Sequence, residues 1–229
     1  MSVFSFQATT YLGHVVVIDD DASIRRSLTT LLTRTGYDVT VYEGADAFLQ
    51  NPVLPLPCVI LLDMRMPGTV GVDLQAQLQT RLQATAQSVP VVFASGDSRS
   101  EEIIRAMKQG AVDFLLKPFT PQSLLDALQR AMHLAVNTHK QEDRLDEVKA
   151  RLKSLTAREF EVCSWMVRGY TNQQIAELDG GAAATVKLHR ARVLSKLRLQ
   201  ALPDLMALLE GVDLTPELYL EINAPHDPD

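Results

Sequence analysis

Between residues 14 and 133, five short apolar runs alternate with amphipathic stretches, and this alternation restricts the fold more than any other pattern in the sequence. The apolar runs read HVVVID, YDVTVY, CVILLD, VPVVFAS and DFLLKP. In the amphipathic stretches apolar residues recur at helical spacing, as Ile24, Leu28 and Leu32 do in the first. Strands that alternate with helices build a parallel sheet with helices on both faces. The sequence therefore predicts an α/β doubly wound domain with five parallel strands and five helices.

The pattern changes after residue 133, in a linker over residues 134–153 whose part 138–153 is dense in charges of both signs. Leu145, Val148 and Leu152 share one helical face, so we predict a linker helix that continues from the first domain. Two roles remain open for this helix, a solvated connection or a short dimerising seam, because three apolar positions do not establish a coiled coil.

Residues 154–212 are helical in pattern and predict a second, all-α domain. Capping-box spacings, in which Glu or Gln follows a Thr by three positions, begin two of its helices at Thr156 and Thr171. Gly169 fits the end of the helix between them.

Segments at both ends of the chain carry less information. Residues 1–13 form an N-terminal extension in which no Lys or Arg occurs, so they do not resemble a secretory signal. Residues 213–229 hold five acids and no Lys or Arg. We interpret them as an acidic tail that is frayed or loosely docked.

The chain of 229 residues is long enough for two domains with separate cores. Its net charge of -6 argues against nucleic-acid binding by general basicity, so any such contact needs a local basic patch. Cys58 and Cys163 lack zinc-site spacing and predict buried thiols in a reducing compartment. No uncharged apolar run approaches the roughly 18 residues of a membrane helix. We expect a soluble, cytoplasmic protein that makes no membrane contact.

Charged side chains stand at the ends of the predicted strands. Asp19 and Asp20 follow the first strand, Asp63 ends the third, and Lys117 ends the fifth. The carboxyl ends of strands border a crevice in a doubly wound sheet, so these side chains are expected to converge. Three carboxylates that converge need a cation, and oxygen ligands favour Mg²⁺. A simpler alternative has Asp19, Asp20 and Asp21 capping the next helix, but the joint placement of so many suitable residues disfavours it.

Asp63 is the carboxylate that we expect to attack a phosphoryl group. It opens the segment DMRMPG, in which Pro67 and Gly68 break regular structure and leave a tight, exposed loop beside the carboxylate. Ser95 ends the fourth strand in FASG, where its hydroxyl is placed to donate to a phosphoryl oxygen.

The segments VVVIDDD, LLDMRMPG, ASGD and FLLKPF together resemble the ordered motifs of the CheY-like receiver domain of two-component response regulators, over residues 14–133. The resemblance implies that a sensor histidine kinase phosphorylates Asp63. It further implies that Asp19 and Asp20 form the acidic pocket, and that the backbone carbonyl of Arg65 is a further Mg²⁺ ligand.

A switch is also implied by this resemblance. Ser95 and Lys117 would sense the phosphoryl group, and Phe114 takes the place of the aromatic residue that changes rotamer on activation. Phe114 lacks the hydroxyl of the more familiar tyrosine. A phosphoryl group adds about two negative charges at neutral pH, which would draw Ser95 and Lys117 inward. We expect residues 100–137 to change most.

The segments LTAREFEVCSWMVRGYTNQQIAEL and TVKLHRARVLSKLRLQALPDL resemble the LuxR-type helix-turn-helix of FixJ-like response regulators, from Leu155 to about Leu209. By this resemblance the helix at about 171–178 braces against the DNA backbone. The next helix, about 182–197, enters the major groove. Residues 185–198 hold five Lys or Arg and no acid, which supports a local basic face.

The resemblance implies contacts with double-stranded DNA from this second helix. Lys187 and Leu188 would face bases, while Arg190, Arg192 and Lys196 would hold phosphates and set the register. The chain would then be a DNA-binding transcriptional regulator that forms a homodimer on phosphorylation. RNA polymerase is a further candidate partner.

The turn before this helix departs from the family pattern. The family usually has a leucine at Asp179, an apolar residue at Gly181, and a Ser, Thr or Pro followed by charged residues at 182–184. The loss of two core anchors weakens packing, and an alanine at the helix start forgoes a cap worth about 1 kcal/mol. We expect Leu178 to rotate inward and replace part of the missing core, and DNA binding to be weak or assisted by a partner.

Two other functions are considered. In the first, the receiver controls a degenerate output domain that binds a protein rather than DNA. In the second, the chain is a phosphotransferase of the haloacid-dehalogenase kind with Asp63 as nucleophile. That class carries D-x-D, whereas this chain reads Asp63-Met64-Arg65 and has no second carboxylate to act as the acid. We therefore expect that the protein is not an enzyme.

Overall fold

The computed structural model describes residues 12–66, 77, 89–96 and 100–224. The chain divides into two compact units, Met1–Gln141 and Glu142–Asp229. No helix in the described ranges has the length and apolar character that a bilayer span requires.

The first unit is built on a five-stranded parallel sheet. Its strands are β1 (Gly13–Ile18), β2 (Tyr37–Tyr42), β3 (Cys58–Asp63), β4 (Val91–Ser95) and β5 (Asp113–Leu116). They lie in the order β2-β1-β3-β4-β5, and each neighbouring pair is parallel. All residues of β1, β3 and β4 are buried, as central strands covered on both faces should be. The predicted doubly wound α/β fold is confirmed.

Helices pack on both faces of this sheet. They are α1 (Ala22–Arg34), α2 (Ala45–Gln50), α3 (Ser100–Lys108) and α4 (Pro121–Leu152). One apolar cluster includes Phe48 and Phe93, and the other includes Leu32 and Leu128. Of the helix predicted in GVDLQAQLQTRLQ, only residue 77 lies within the described residues. The two clusters hold the strand ends in place around the crevice.

The second unit is helical, as predicted. After the last turns of α4 it contains α5 (Ala157–Val167), α6 (Asn172–Asp179), α7 (Ala183–Lys196), α8 (Leu202–Leu208) and α9 (Pro216–Asn223). Both predicted capping boxes are confirmed, at Thr156 and Thr171. Gly169 has a left-handed φ of 84° just after α5, in agreement with its predicted role as a helix stop.

The predicted linker is helical through Leu152, the last residue of α4. Val148 and Leu152 are buried in the core of the second unit, whereas Leu145 is exposed. Two of the three apolar positions considered for a dimerising seam are therefore already covered by their own unit. The seam is not supported by these contacts.

The expectation of a frayed tail is wrong for residues 214–223. Thr215 caps α9 by accepting a hydrogen bond from the Leu218 amide at 3.2 Å. Leu214 and Ile222 are buried in the core of the second unit, and the Tyr219 ring lies near that of Phe160 in α5. Acids on the outward positions of this segment obscured its apolar spacing, which buries one side of a short helix.

Candidate functional site

Three carboxylates meet at the carboxyl ends of β1 and β3, which are neighbours in the sheet. They belong to Asp19, Asp20 and Asp63, and one carboxylate oxygen of each lies within 4.8 Å of the others. Asp19 and Asp63 are buried, whereas Asp20 is exposed to solvent. The structure thus brings together the three acids that the strand-end pattern singled out.

The first helix, α1, is capped by a different acid. Asp21 is the N-cap of α1, and its Oδ1 accepts hydrogen bonds from the amides of Ser23 and Ile24. A hydrogen bond from the Ser23 hydroxyl, together with these two amide bonds, lowers the pKa of Asp21. Asp19 and Asp20 are therefore not needed as caps, and their carboxylates remain at the crevice.

Lys117 joins the cluster from the end of β5. Its ammonium nitrogen lies 2.7 Å from Oδ2 of Asp19 and 2.7 Å from Oδ2 of Asp63. Burial by itself lowers the pKa of Lys117, but the hydrogen bonds to the two carboxylates outweigh burial and raise the pKa above its usual value. The ammonium group is therefore charged and bridges the two buried acids.

The other carboxylate oxygens of the buried acids accept backbone hydrogen bonds. The amide of Asp21 donates to Oδ1 of Asp19 at 2.9 Å, and the amide of Arg65 donates to Oδ1 of Asp63 at 3.0 Å. The second bond holds the backbone at Arg65 against the cluster. Pro67 and Gly68, predicted to form the adjoining loop, lie outside the described residues.

Ser95 and Phe114 lie on the strands beside this crevice. Ser95, the last residue of β4, is fully buried, and its carbonyl accepts a 2.8 Å hydrogen bond from the Lys117 amide. Phe114 in β5 is partly buried and packs against the cluster that contains Phe93 and Ala106. Backbone pairing thus connects the predicted switch residues to the strand end that carries Lys117.

The donor chemistry of the crevice fits a hard divalent cation. Three carboxylates face one ammonium group, so the cluster carries an excess of negative charge. All three side-chain donors are oxygens, which Mg²⁺ prefers over nitrogen or sulfur. In the part of the chain that the structure describes, these acids form the single cluster suited to a metal ion.

Cys58 in β3 and Cys163 in α5 are both buried, and neither forms a disulfide. Burial raises the pKa of each thiol to about 12. This agrees with the prediction of two buried apolar thiols.

In the second unit, α6 and α7 form a helix-turn-helix around a small apolar core. This core contains Ile175, Ala176 and Val186, with Trp165 of α5 packed against it. On the opposite side of α7, Lys187, Leu188 and Arg192 are exposed. These three predicted DNA contacts are accessible from solvent.

The other two predicted contacts have protein partners. Nη1 of Arg190 donates to the carbonyl of Tyr170 at 3.0 Å. The Lys196 ammonium lies 2.5 Å from Oε2 of Glu159, which also accepts a hydrogen bond from the Thr156 amide. Arg190 and Lys196 thus fasten α7 to the rest of the unit.

Glu159 was missed by sequence reasoning as the partner of a basic side chain. Burial by itself raises its pKa, but hydrogen bonds from Lys196 and Thr156 lower it to about 2. The capping-box pattern revealed the local role of Glu159. Its pairing with Lys196, two helices further along the chain, corresponds to no local pattern in the sequence.

The turn between α6 and α7 differs from expectation at two residues. Leu178 is 60% exposed, so the expectation that it rotates inward is wrong. The side chain of Asp179 instead forms an ion pair with Arg158 of α5, a contact that sequence reasoning missed. Asp179 stands where the sequence suggested a missing apolar anchor, and its ion pair with α5 holds this position instead. Ala182 begins α7 without a side-chain cap, as predicted.

Comparison with known proteins assigns both units. Residues 15–129 match the response regulator receiver domain, and residues 153–209 match the bacterial regulatory proteins of the luxR family. The response regulator protein TodT of Pseudomonas putida is 35% identical over 198 residues, which cover 86% of this chain and 85% of TodT. The transcriptional regulatory protein FixJ of Bradyrhizobium diazoefficiens is 36% identical over 197 residues, 86% of this chain and 94% of FixJ. A solved structure of the response regulator StyR matches with a TM-score of 0.75 at 37% identity, covering 87% of this chain and 98% of StyR.

Proposed function

Because the chain belongs to the response regulators that join a receiver domain to a LuxR-type DNA-binding domain, we propose that phosphorylation of Asp63 controls how this transcriptional regulator binds DNA. A sensor histidine kinase would supply the phosphoryl group. The observation that carries this proposal is the pair of 2.7 Å hydrogen bonds from Lys117 to Asp19 and Asp63. They place a cation where a new negative charge would arrive.

In the proposed reaction, a carboxylate oxygen of Asp63 forms a bond to the phosphorus of a phosphohistidine. The phosphorus–nitrogen bond breaks, and its electron pair returns to the imidazole. Asp19, Asp20, Asp63 and the backbone carbonyl of Arg65 would hold Mg²⁺, which offsets negative charge on the phosphoryl oxygens. Lys117, which is hydrogen-bonded to Asp19 and Asp63, would offset further charge. Asp63 is modified rather than regenerated for turnover of an outside substrate, so we assign no enzyme activity.

The proposed switch uses Ser95 and Phe114. The Ser95 hydroxyl would donate to a phosphoryl oxygen, and the movement of β4 and Lys117 would change the rotamer of Phe114. Support comes from the full burial of Ser95 and from the hydrogen bond between its carbonyl and the Lys117 amide. Residues 100–137 would carry the change to the surface.

For DNA binding we propose that Lys187 and Leu188 contact bases and that Arg192 contacts phosphate. Arg190 and Lys196 would orient α7 and reach phosphates only as secondary contacts, because both have protein partners. Phosphorylation would produce a homodimer whose two linked helix-turn-helix units bind paired half-sites more tightly than one unit. Such a regulator would act on DNA in the cytoplasm, with RNA polymerase as a further partner.

The test is gel filtration and genome-wide DNA capture of the full chain, with Mg²⁺ and with or without a small phosphoryl donor such as acetyl phosphate. We expect the donor to produce dimers and to enrich discrete DNA sites. Asp63→Asn should remain monomeric and unenriched. A phosphorylated dimer that captures no DNA would contradict the proposal and favour a protein-binding output domain.

A further inference from the structure

The turn between α6 and α7 is tied to α5 by one ion pair. Asp179, the last residue of α6, places Oδ2 against Nη2 of Arg158, which lies in the first turn of α5. The two side chains are 27% and 30% exposed. The Asp179 carboxylate therefore connects the end of α6 to the first turn of α5.

Arg158 is itself held by two other groups on α5. Its Nη1 donates to Oε2 of Glu161 at 2.6 Å, and its guanidinium carbon lies 5.3 Å from the centre of the Trp165 ring. A guanidinium over an aromatic face is attracted by the negative potential of the ring. Trp165 in turn packs against the core of α6 and α7. Asp179 thus binds an arginine whose position is already fixed.

Backbone hydrogen bonds to the Ala176 carbonyl close this turn, but few other side-chain contacts hold it. Leu178 points into solvent, and Ala182 leaves α7 without a side-chain cap. Gly180 ends α6 in the left-handed conformation, with φ of 67°. The ion pair is therefore the main side-chain restraint at the turn, among the residues described in this unit.

Gly181 leaves the space that the ion pair uses. A Cβ atom at this position would lie 3.3 Å from Oδ2 of Asp179, closer than an ordinary contact. A side chain there would require the Asp179 carboxylate, which contacts Arg158, to shift by a few tenths of an ångström. Two departures from the family pattern, Asp179 and Gly181, therefore lie side by side in one tightly packed space.

We propose that Asp179 and Arg158 form a positioning pair that fixes α7 for entry into the major groove, in place of apolar anchors. This inference rests on the proposed DNA-binding function. Neither residue lies on the exposed face of α7, so the pair acts through the helix and contacts no base. Partly exposed ion pairs add little to global stability. The main effect is expected in DNA affinity and in local opening of the turn.

The first test measures binding of the phosphorylated full chain to a captured duplex at several NaCl concentrations. Asp179→Asn should weaken binding by about tenfold, a typical coupling between residues in contact. The slope of log affinity against log salt should stay unchanged, because no phosphate contact is lost. Glu177→Gln is the matched control, since it removes an exposed acid from the same helix. Unchanged or tighter binding by Asp179→Asn, relative to this control, would overturn the proposal.

The second test is a double-mutant cycle. Gly181→Ile alone should weaken DNA binding, because the new side chain displaces the Asp179 carboxylate. In an Asp179→Leu background the same change should be neutral or favourable, since it restores two apolar residues. Equal effects of Gly181→Ile in both backgrounds would refute the coupling.

Amide hydrogen exchange of the same full-length variants separates this inference from the proposed function. Asp179→Asn should speed exchange in residues 172–196 and leave α1 unaffected. If the parent protein binds no duplex but this local increase occurs, the proposed function fails and the structural pairing stands. Unchanged exchange in Asp179→Asn contradicts the pairing whatever the DNA result.

Discussion

Lys117 donates a 2.7 Å hydrogen bond to Oδ2 of Asp63, although 54 positions separate the two residues in the chain. The bond exists before any phosphoryl group is present, so the unmodified crevice already contains one of the cations that phosphorylation would use. The same ammonium group neutralises part of the charge that would otherwise attract a metal ion. In the proposed function, Lys117 would therefore both compete with Mg²⁺ and offset the charge of an incoming phosphoryl group.

Replacement of Lys117 should separate metal binding from switching. Lys117→Met leaves three carboxylates without an ammonium partner, so Mg²⁺ affinity should rise about tenfold, equivalent to roughly 1.4 kcal/mol at a partly solvated site. Phosphorylation of the variant should no longer drive dimerisation. Calorimetric titration with Mg²⁺ and gel filtration with acetyl phosphate measure the two effects. Lys108→Met, on the exposed side of α3, controls for the loss of one charge.

The pair of Glu159 and Lys196 should make the second unit sensitive to acid. Glu159 has a pKa of about 2 in the folded chain against an ordinary 4.5. A carboxyl group with a lowered pKa stabilises the fold fully above pH 4.5, and this contribution is lost as pH falls towards 2. Unfolding of the full chain, followed by the fluorescence of its single tryptophan, should show this loss. Glu159→Gln should flatten the profile between these pH values, whereas Glu210→Gln should leave it unchanged.

Much of the fold could be predicted from local patterns in the sequence. The apolar runs of β1, β3 and β4 are continuous because both faces of a central strand are covered, and this property is visible without a structure. The acidic cluster could be predicted from the sequence for a related reason. A parallel sheet places the carboxyl ends of its strands on one edge, so strand ends identify neighbours in space.

The pairings between helices of the second unit could not be predicted from the sequence in this way. The bonds of Asp179 to Arg158 and of Lys196 to Glu159 depend on how helices cross, which residue spacing does not encode. Helix α9 was missed for another reason. The prediction treated residues 213–229 as a whole, with five acids and no Lys or Arg, whereas the apolar residues of α9, including Ile222, pack in the core.

The two arginines of α7 should differ in their effects on DNA binding. Arg192→Ala removes an exposed charge and should lower the slope of log affinity against log salt by about one. Arg190→Ala removes a hydrogen bond to the Tyr170 carbonyl, so it should loosen α7 and change the slope less. Fluorescence anisotropy with a captured duplex measures both. Equal slopes for the two variants would contradict the division of roles.

Helix α9 should contribute measurably to the stability of the second unit. Ile222→Ala removes buried methyl groups and should lower the free energy of unfolding by about 2 kcal/mol. Leu220→Ala, at a side chain that is 69% exposed, should change it by less than about 0.5 kcal/mol. Denaturant titration of the full chain, followed through Trp165, compares the two. Similar values for both variants would mean that α9 does not pack as described.

The burial of Cys58 and Cys163 makes the chain suitable for site-specific labelling. Thiol reagents attack the thiolate, and a pKa of about 12 leaves almost none of it at neutral pH. A cysteine introduced on an exposed surface, such as Ser195→Cys on α7, would therefore accept a maleimide dye while both native thiols stay unmodified. In a dimer of donor-labelled and acceptor-labelled copies, the distance between the two α7 helices could then be followed by fluorescence energy transfer.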